Sequence, residues 1–354
     1  MFRVVFLGAL LVHLTLPSPL ITSYSHYDAE TCGIQNLKVE LREDQPLDNS
    51  FDEANLYEDE GSYEGDDPDD PSRPRKVMGG ADATEGQEPW AVAIIYRNEY
   101  RCTGTLISKK HVITAAHCFV RDGKKDVHTN CVNGQFLEEA EAVKDFTVKY
   151  GGTCINPEHP DCVNRTVLKP MKIVRAKFRD FYDLNSCKGG RDYALMELAE
   201  PVDVTHICLP HLHDDGELRS ASNFRAYGWG SDPQRHLQVA PVLQFLDLSK
   251  LHSPEFCRRQ WLEMPYDGVC VDEASTRNTC AGDSGGGLAV EEYGAKSKKR
   301  SFLYGVVSFG SECDRILNHN LQTRVQVFTD ITFYTATIDH FIFGPQVFNH
   351  INKW

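Results

Sequence analysis

The stretch Cys280-Ala281-Gly282-Asp283-Ser284-Gly285-Gly286-Gly287 sets a serine hydroxyl between glycines on both sides. With so little side-chain bulk around it, such a serine can be approached closely by a substrate carbonyl. Its neighbouring backbone N–H groups can point at a developing oxyanion. An alcohol is a weak nucleophile, so it needs a base beside it, and the base needs an acceptor that fixes its tautomer. Two stretches upstream supply those residue types. Thr114-Ala115-Ala116-His117-Cys118 ends a β-branched run with a histidine. Arg191-Asp192-Tyr193-Ala194-Leu195-Met196-Glu197-Leu198 opens a mostly apolar strand with an acid. Taken singly, each has an ordinary explanation: a glycine turn, a packed histidine, an Asp at a turn or cap. Taken together they are the three cooperating groups of nucleophilic acyl transfer.

The three strings, in this order, resemble the chymotrypsin-like serine proteases of the trypsin superfamily, and the resemblance runs over essentially all of residues 77–354. It implies an all-β fold of two antiparallel six-stranded barrels with the site between them. The chain's own pattern agrees: short β-branched and aromatic runs at 90–96, 104–107, 112–114 and 303–309 are punctuated by Gly, Pro and Asn. A helical pattern is visible only at the C-terminus, over roughly 335–351. Carried over residue by residue, the resemblance implies that Ser284 attacks the scissile carbonyl. His117 takes and returns the proton, Asp192 holds His117, and the N–H groups of Gly282 and Ser284 form the oxyanion hole. Ser308, in Val306-Val307-Ser308-Phe309-Gly310, matches the strand that pairs with the substrate backbone.

The specificity pocket departs from the family. Asn278, six positions before the nucleophile and next to Thr279, offers a neutral amide where a preference for Arg or Lys needs a carboxylate. Trypsin-like cleavage is therefore disfavoured. The opposite wall comprises Ser308, Phe309, Gly310 and Gln326. Gln326 stands where the family has a glycine before Val327-Phe328-Thr329, which partly fills the pocket and favours small or unusual residues. Phe309 replaces the family's usual tryptophan and keeps an aromatic wall. Glu312, beside Cys313, reads as a solvated rim charge.

Val77-Met78-Gly79-Gly80 resembles the new N-terminus that the family exposes on activation, and Lys76 before it offers a cut site for a trypsin-like enzyme. The freed amine of Val77 is then expected to pair with Asp283. Losing one partner of a buried pair costs about 3 to 5 kcal/mol, enough to decide whether loops are ordered. The family register also implies the disulfides Cys102–Cys118, Cys257–Cys270 and Cys280–Cys313, with Cys32–Cys208 tethering the propeptide after cleavage. Cys131, Cys154, Cys162 and Cys187 remain, all in an insertion of about thirty residues between His117 and Asp192. Three pairings are open to them, and Cys154–Cys162 with Cys131–Cys187 is the one expected. Asn164-Arg165-Thr166 in the same insertion is a glycosylation acceptor.

Upstream, Arg3 precedes an apolar run from Val4 to Leu16, so residues 1–23 read as a secretory signal peptide. The run is too short to span a bilayer, and no later stretch is long enough. Residues 24–76 read as an acidic, largely disordered propeptide. They end in the basic Ser72-Arg73-Pro74-Arg75-Lys76. Twelve cysteines behind a signal peptide imply an oxidising compartment, so the protein is expected to be secreted. The 354-residue chain has a formal charge of -14, yet residues 1–76 hold 16 acidic against 6 basic residues and the rest 35 against 31. The acidity thus belongs to the leader, and no basic patch with interleaved aromatics points to nucleic acid. No C-x-x-C pair is present, His211 and His213 lack a partner cluster, and no compact carboxylate loop occurs in 77–354, so neither zinc, calcium nor any other cofactor is expected. The partners expected are a protein or peptide substrate, an activating protease and protein inhibitors. The chain reads as a secreted serine endopeptidase zymogen. The competing reading is a secreted binding protein on the same fold with an occluded pocket. A plain disulfide-stabilised module leaves the ordered motifs unexplained.

Overall fold

A continuous apolar run bounded by turns makes a strand buried on both faces, and Ala91–Tyr96 is buried at every position. Around it the chain builds seven strands in its first half: β1 (Ala81–Asp82), β2 (Ala91–Tyr96), β3 (Glu99–Leu106), β4 (His111–Thr114), β5 (Phe146–Tyr150), β6 (Lys169–Lys177) and β7 (Ala194–Leu198). Strands β2-β3-β4-β7-β6-β5 close into a barrel, which leaves no unpaired edge. The second half supplies β8 (Phe224–Gly228), β9 (Gln244–Leu248), β10 (Gly268–Asp272), β11 (Gly287–Tyr293), β12 (Lys299–Phe309) and β13 (Val325–Asp330). These form a half-barrel sheet in the order β1-β9-β8-β11-β12-β13-β10, with the two-residue β1 added at its edge. The expected all-β architecture with a C-terminal helix is therefore present. This computed structural model describes residues 26–36, 78–121, 127–185, 187, 189–212, 218, 221–293 and 299–344.

The helical content exceeds what the periodicity revealed. Besides the C-terminal helix Thr335–Phe343, short helices occupy Val127–Val132, Glu139–Asp145, Arg179–Asn185, Pro254–Gln260 and Cys313–His319. Each is under eight residues, shorter than the window in which a 3.6-residue repeat becomes legible. Local capping explains two of them. Glu138 and Glu141 close a capping box on Glu139–Asp145, and the Ser253 hydroxyl accepts from the Phe256 N–H just ahead of Pro254. The part of the expected C-terminal helix beyond 344 lies outside the described residues, as do the signal peptide, the acidic stretch 37–77, and with it Lys76 and Val77. No helix among the described residues is long and apolar enough to cross a membrane.

Six disulfides are formed: Cys32–Cys208, Cys102–Cys118, Cys131–Cys187, Cys154–Cys162, Cys257–Cys270 and Cys280–Cys313. The segment at Cys32 is docked as well as bonded. Gly33 donates to the His206 carbonyl at 2.8 Å, and the Arg300 guanidinium donates to the carbonyls of Ala29 at 2.8 Å and Glu30 at 2.7 Å. In the insertion, Phe178 follows β6 and stacks on Phe119, two residues after His117, with centroids 4.2 Å apart. Both rings are fully buried. Phe178→Ala is expected to lower stability by about 3 to 5 kcal/mol through the cavity it leaves, read as a reduced denaturant midpoint at unchanged slope.

Candidate active site

Antiparallel pairing sets the first half of the site. Thr114 at the end of β4 is registered with Ala194 at the start of β7, so the chain after β4 and the chain before β7 emerge together. His117 and Asp192, 75 residues apart in sequence, meet there. The His117 Nδ1 lies 2.8 Å from Asp192 Oδ2, and the His117 backbone N–H donates to Oδ1 at 2.9 Å. An ionised carboxylate only accepts, so Nδ1 carries the hydrogen and Nε2 keeps its lone pair. Asp192 is buried, at 6% exposure. Burial works against its charge, but the His117 ring and the hydrogen bonds from His117 and Ser308 outweigh it and hold the carboxyl below its usual range.

The second sheet delivers the remaining groups by the same rule. Gly287 at the start of β11 is registered with Val306 in β12, which places Ser284 beside the end of β12 at Ser308. The Ser308 hydroxyl donates to Asp192 Oδ2 at 2.6 Å, and Thr329 Oγ1 donates to the Asp192 carbonyl at 3.2 Å. Ser284 and His117 line one cavity of about 390 Å³. The turn around Ser284 is pinned from both sides: Thr103 donates to the Ser284 carbonyl at 3.0 Å, and Gly285 to Val307 at 2.8 Å. The Tyr100 hydroxyl donates to the Gly282 carbonyl at 2.7 Å. Gly282 has φ +98°, and a Cβ there would sit 2.9 Å from the Tyr100 ring, so only glycine fits. Among the described residues neither the Gly282 nor the Ser284 N–H has an acceptor.

Asp283 is fully buried and accepts from the Gly230 N–H and the Cys280 N–H, each at 2.8 Å. Burial pushes its carboxyl up to about 7. Met78, one residue beyond Val77, is also buried and accepts from the Asn278 N–H at 2.9 Å, so the segment after the expected cut enters the body beside the pocket. Among the described residues, Cys102, His117 and Cys118 lie close enough to suggest a metal site. Both sulfurs are spent in the Cys102–Cys118 disulfide, which leaves the imidazole as a single donor.

Ser284 also borders a cavity of about 500 Å³ walled by Thr279, Ser308, Phe309, Gly310 and Gln326. Asn278 is not on that wall. Its buried amide accepts from the Ala274 N–H at 3.0 Å and donates to the Ala274 carbonyl at 2.5 Å, closing its own loop. Several supporting residues had no local signal in the sequence. Tyr182, from the insertion helix Arg179–Asn185, donates to the Ala116 carbonyl at 2.5 Å next to His117. Asp267 accepts from the Arg191 N–H at 2.8 Å and from the Tyr334 hydroxyl, and so holds Arg191 at its φ of 69° just ahead of Asp192. Trp261 meets Phe309 edge to face at 5.4 Å, and with Phe181 it lines a third cavity that reaches His117. Asn164 sits exposed in the insertion at φ 64°.

The family model described as Trypsin matches residues 77–332. The trypsin-like protease try-5 of Caenorhabditis elegans is 33% identical over 277 residues, covering 72% of this chain and 83% of the relative. Kallikrein 1-related peptidase b22 of Mus musculus is 30% identical over 238 residues, 67% of this chain and 80% of the relative. Coagulation factor IX of Oryctolagus cuniculus is 28% identical over 256 residues, 71% and 81%. A motif order, a two-sheet fold and a family match spanning the same residues converge, and the chain belongs to the trypsin family of serine proteases.

Proposed function

We propose that this chain is a secreted serine endopeptidase, made as a precursor, which cleaves protein or peptide substrates through an acyl-enzyme on Ser284. The observation that carries the reading is the buried Asp192 carboxylate shared by His117 Nδ1 and the Ser308 hydroxyl, with Ser284 on the same cavity as the imidazole. Ser284 Oγ would attack the scissile carbonyl as its proton passes to His117 Nε2. Asp192 keeps the imidazole in the accepting tautomer and stabilises the imidazolium. The N–H groups of Gly282 and Ser284 would hold the oxyanion. The proton then goes to the leaving amine, and water repeats the sequence to release the acid.

Secretion is supported by the apolar N-terminal run and by six disulfides, which persist in oxidising compartments. Activation by a cut after Lys76 is supported by the burial of Met78 and of Asp283, whose carboxylate accepts from the Gly230 and Cys280 N–H groups and has no cation beside it among the described residues. The amine of Val77 would supply the missing cation, and the Cys32 bond would keep the propeptide attached. Specificity is read as restricted and not trypsin-like, because the Asn278 amide is committed to Ala274 and Gln326 stands in the pocket wall. That same Gln326 is what favours the second reading, a secreted binding protein with an occluded pocket.

Three outcomes are expected. Ser284→Ala should abolish fluorophosphonate labelling and lower amide hydrolysis by at least about a thousandfold, with secretion intact; retained hydrolysis removes Ser284 from the role. Lys76→Gln should be secreted as an inactive precursor, and full activity in that variant would rule out the cut as the switch. The third concerns pH. Asp283 has a raised folded pKa, so the native state binds more protons than the unfolded chain between about 4 and 7, and stability falls as pH rises through that window. The uncut chain should therefore lose melting temperature from pH 4 to pH 7 relative to Asp283→Asn, and the chain cut after Lys76 should lose less; identical slopes would count against the pairing.

A further inference from the structure

Three lysines stand together on the closed barrel with no acid to pair them. Strands β5 and β6 carry Lys149, Lys169, Lys172, Arg175 and Lys177 and no Asp or Glu. Arg175 is paired with Glu197 at 2.8 Å and Lys177 with Asp180 at 3.3 Å. The ammonium groups of Lys149, Lys169 and Lys172 have no hydrogen-bond or ion-pair partner among the described residues. Strand register gathers them. Lys149 is registered with Pro170 and Thr147 with Lys172, so Lys149 and Lys172 are diagonal neighbours on the face opposite the buried Phe146 and Val148. Lys169 is exposed, registered with Tyr150 at the end of the ladder.

The chain's own acidic stretch starts beside this face. The docked segment around Cys32 runs to Asn36, whose N–H donates to the Gly86 carbonyl and whose side-chain amide donates to Thr205 Oγ1, each at 2.8 Å. Asn36 lines one groove with Gly151 and Gly152, the two residues that follow β5. Of the acids on that groove, Glu85 accepts from Thr153 and Thr166 and Glu88 pairs with Arg225, which leaves Asp203. Seven residues beyond Asn36 is Glu43, and residues 43–70 hold 13 Asp and Glu and no Lys or Arg. Seven extended residues span up to about 25 Å, whereas Lys169 and Lys172 are about 10 Å apart along their strand. The acids therefore reach the lysines without strain.

A segment anchored this close meets the surface at an effective concentration of about millimolar, so ion pairs that are weak singly act together. We propose that the face of β5 and β6 at Lys149, Lys169 and Lys172 is the docking surface for residues 43–70 of this same chain. An acidic stretch of another molecule has the same charge but lacks the anchor at Asn36. The Cys32–Cys208 bond keeps the segment seated there whether or not the chain is cut after Lys76. Neither Ser284 nor His117 takes part, so the docking stands or falls apart from the catalytic reading.

The test treats the full chain with a water-soluble carbodiimide, which joins a carboxylate to a lysine amine where the two touch. Isotopically heavy and light protein are mixed in equal amounts, so that amides within one chain are told from amides between chains. The expected result is amides within one chain from residues 43–70 to Lys149, Lys169 or Lys172. At low salt their yield should exceed that to Lys250, an exposed lysine after β9, by at least about tenfold. At about 1 M salt, where charges are screened beyond roughly 3 Å, the excess should vanish. In a variant with the 13 acids of residues 43–70 changed to amides, acetic anhydride should modify Lys169 and Lys172 at least about threefold faster, relative to Lys250, than in the unaltered chain. Amides spread evenly over the lysines, formed between chains, or not formed at all overturn the proposal. Equal acetylation rates in a variant that melts like the unaltered chain do the same, and the carbodiimide result decides if that variant does not fold.

Discussion

A carboxylate withdrawn from water must be surrounded by donors, and Asp192 is the group on which this structure turns. Its donors come from two different sheets: His117, side chain and backbone, from the closed barrel, and Ser308 from the half-barrel. Thr329 adds a bond to its carbonyl from β13. If the two sheets moved apart, the charge would lose donors that outweigh its burial. The same contact that could orient an imidazole for catalysis thus also ties together the two halves that the site lies between.

Asp283 is the complementary case. It too is buried, but its bonds are two backbone N–H groups and no cation is described beside it, so its carboxyl is pushed up to about 7 rather than held low. The glycines opposite it leave no room for a side chain, since a Cβ on Gly230 would collide with the carboxylate. Asp192 meets side-chain donors within the described structure, and Asp283 meets backbone N–H groups. That difference is the physical basis for proposing that a new N-terminus completes the fold.

The insertion between His117 and Asp192 contributes more than surface decoration. Phe178 stacks on Phe119, Tyr182 ties down the Ala116 carbonyl, and Phe181 walls the cavity that reaches His117. The Cys154–Cys162 loop docks toward the second sheet, with Arg235 paired to Asp161 and Arg165 donating to the Ala83 carbonyl at 2.8 Å. The docked segment around Cys32 likewise has a bonding pattern of its own, so the disulfide there reinforces an interface instead of creating one.

The sequence by itself determined the glycine-flanked serine turn, the histidine and acid strings and the β-rich pattern, because these are local: glycines around Ser284, β-branched runs, a fixed order of short strings, whose family resemblance in turn implied the fold class and the cysteine pairing. It could not determine what a side chain meets far along the chain. Asn278 read as the pocket's base, but a bond to Ala274 four residues away takes its amide out of the cavity. Gln326 was legible as an obstruction, whereas the buried Glu273, which accepts from the Ser311 and Arg324 N–H groups, was not, since nothing local links residue 273 to residues 311 and 324. Tyr182 and Asp267 were invisible for the same reason, and the short helices escaped because under two turns show no period. Chemistry that resides in a residue type and its neighbours survives in one dimension. Burial, donor geometry and the depth of a pocket depend on strand register and sheet packing, and those only the tertiary structure decided.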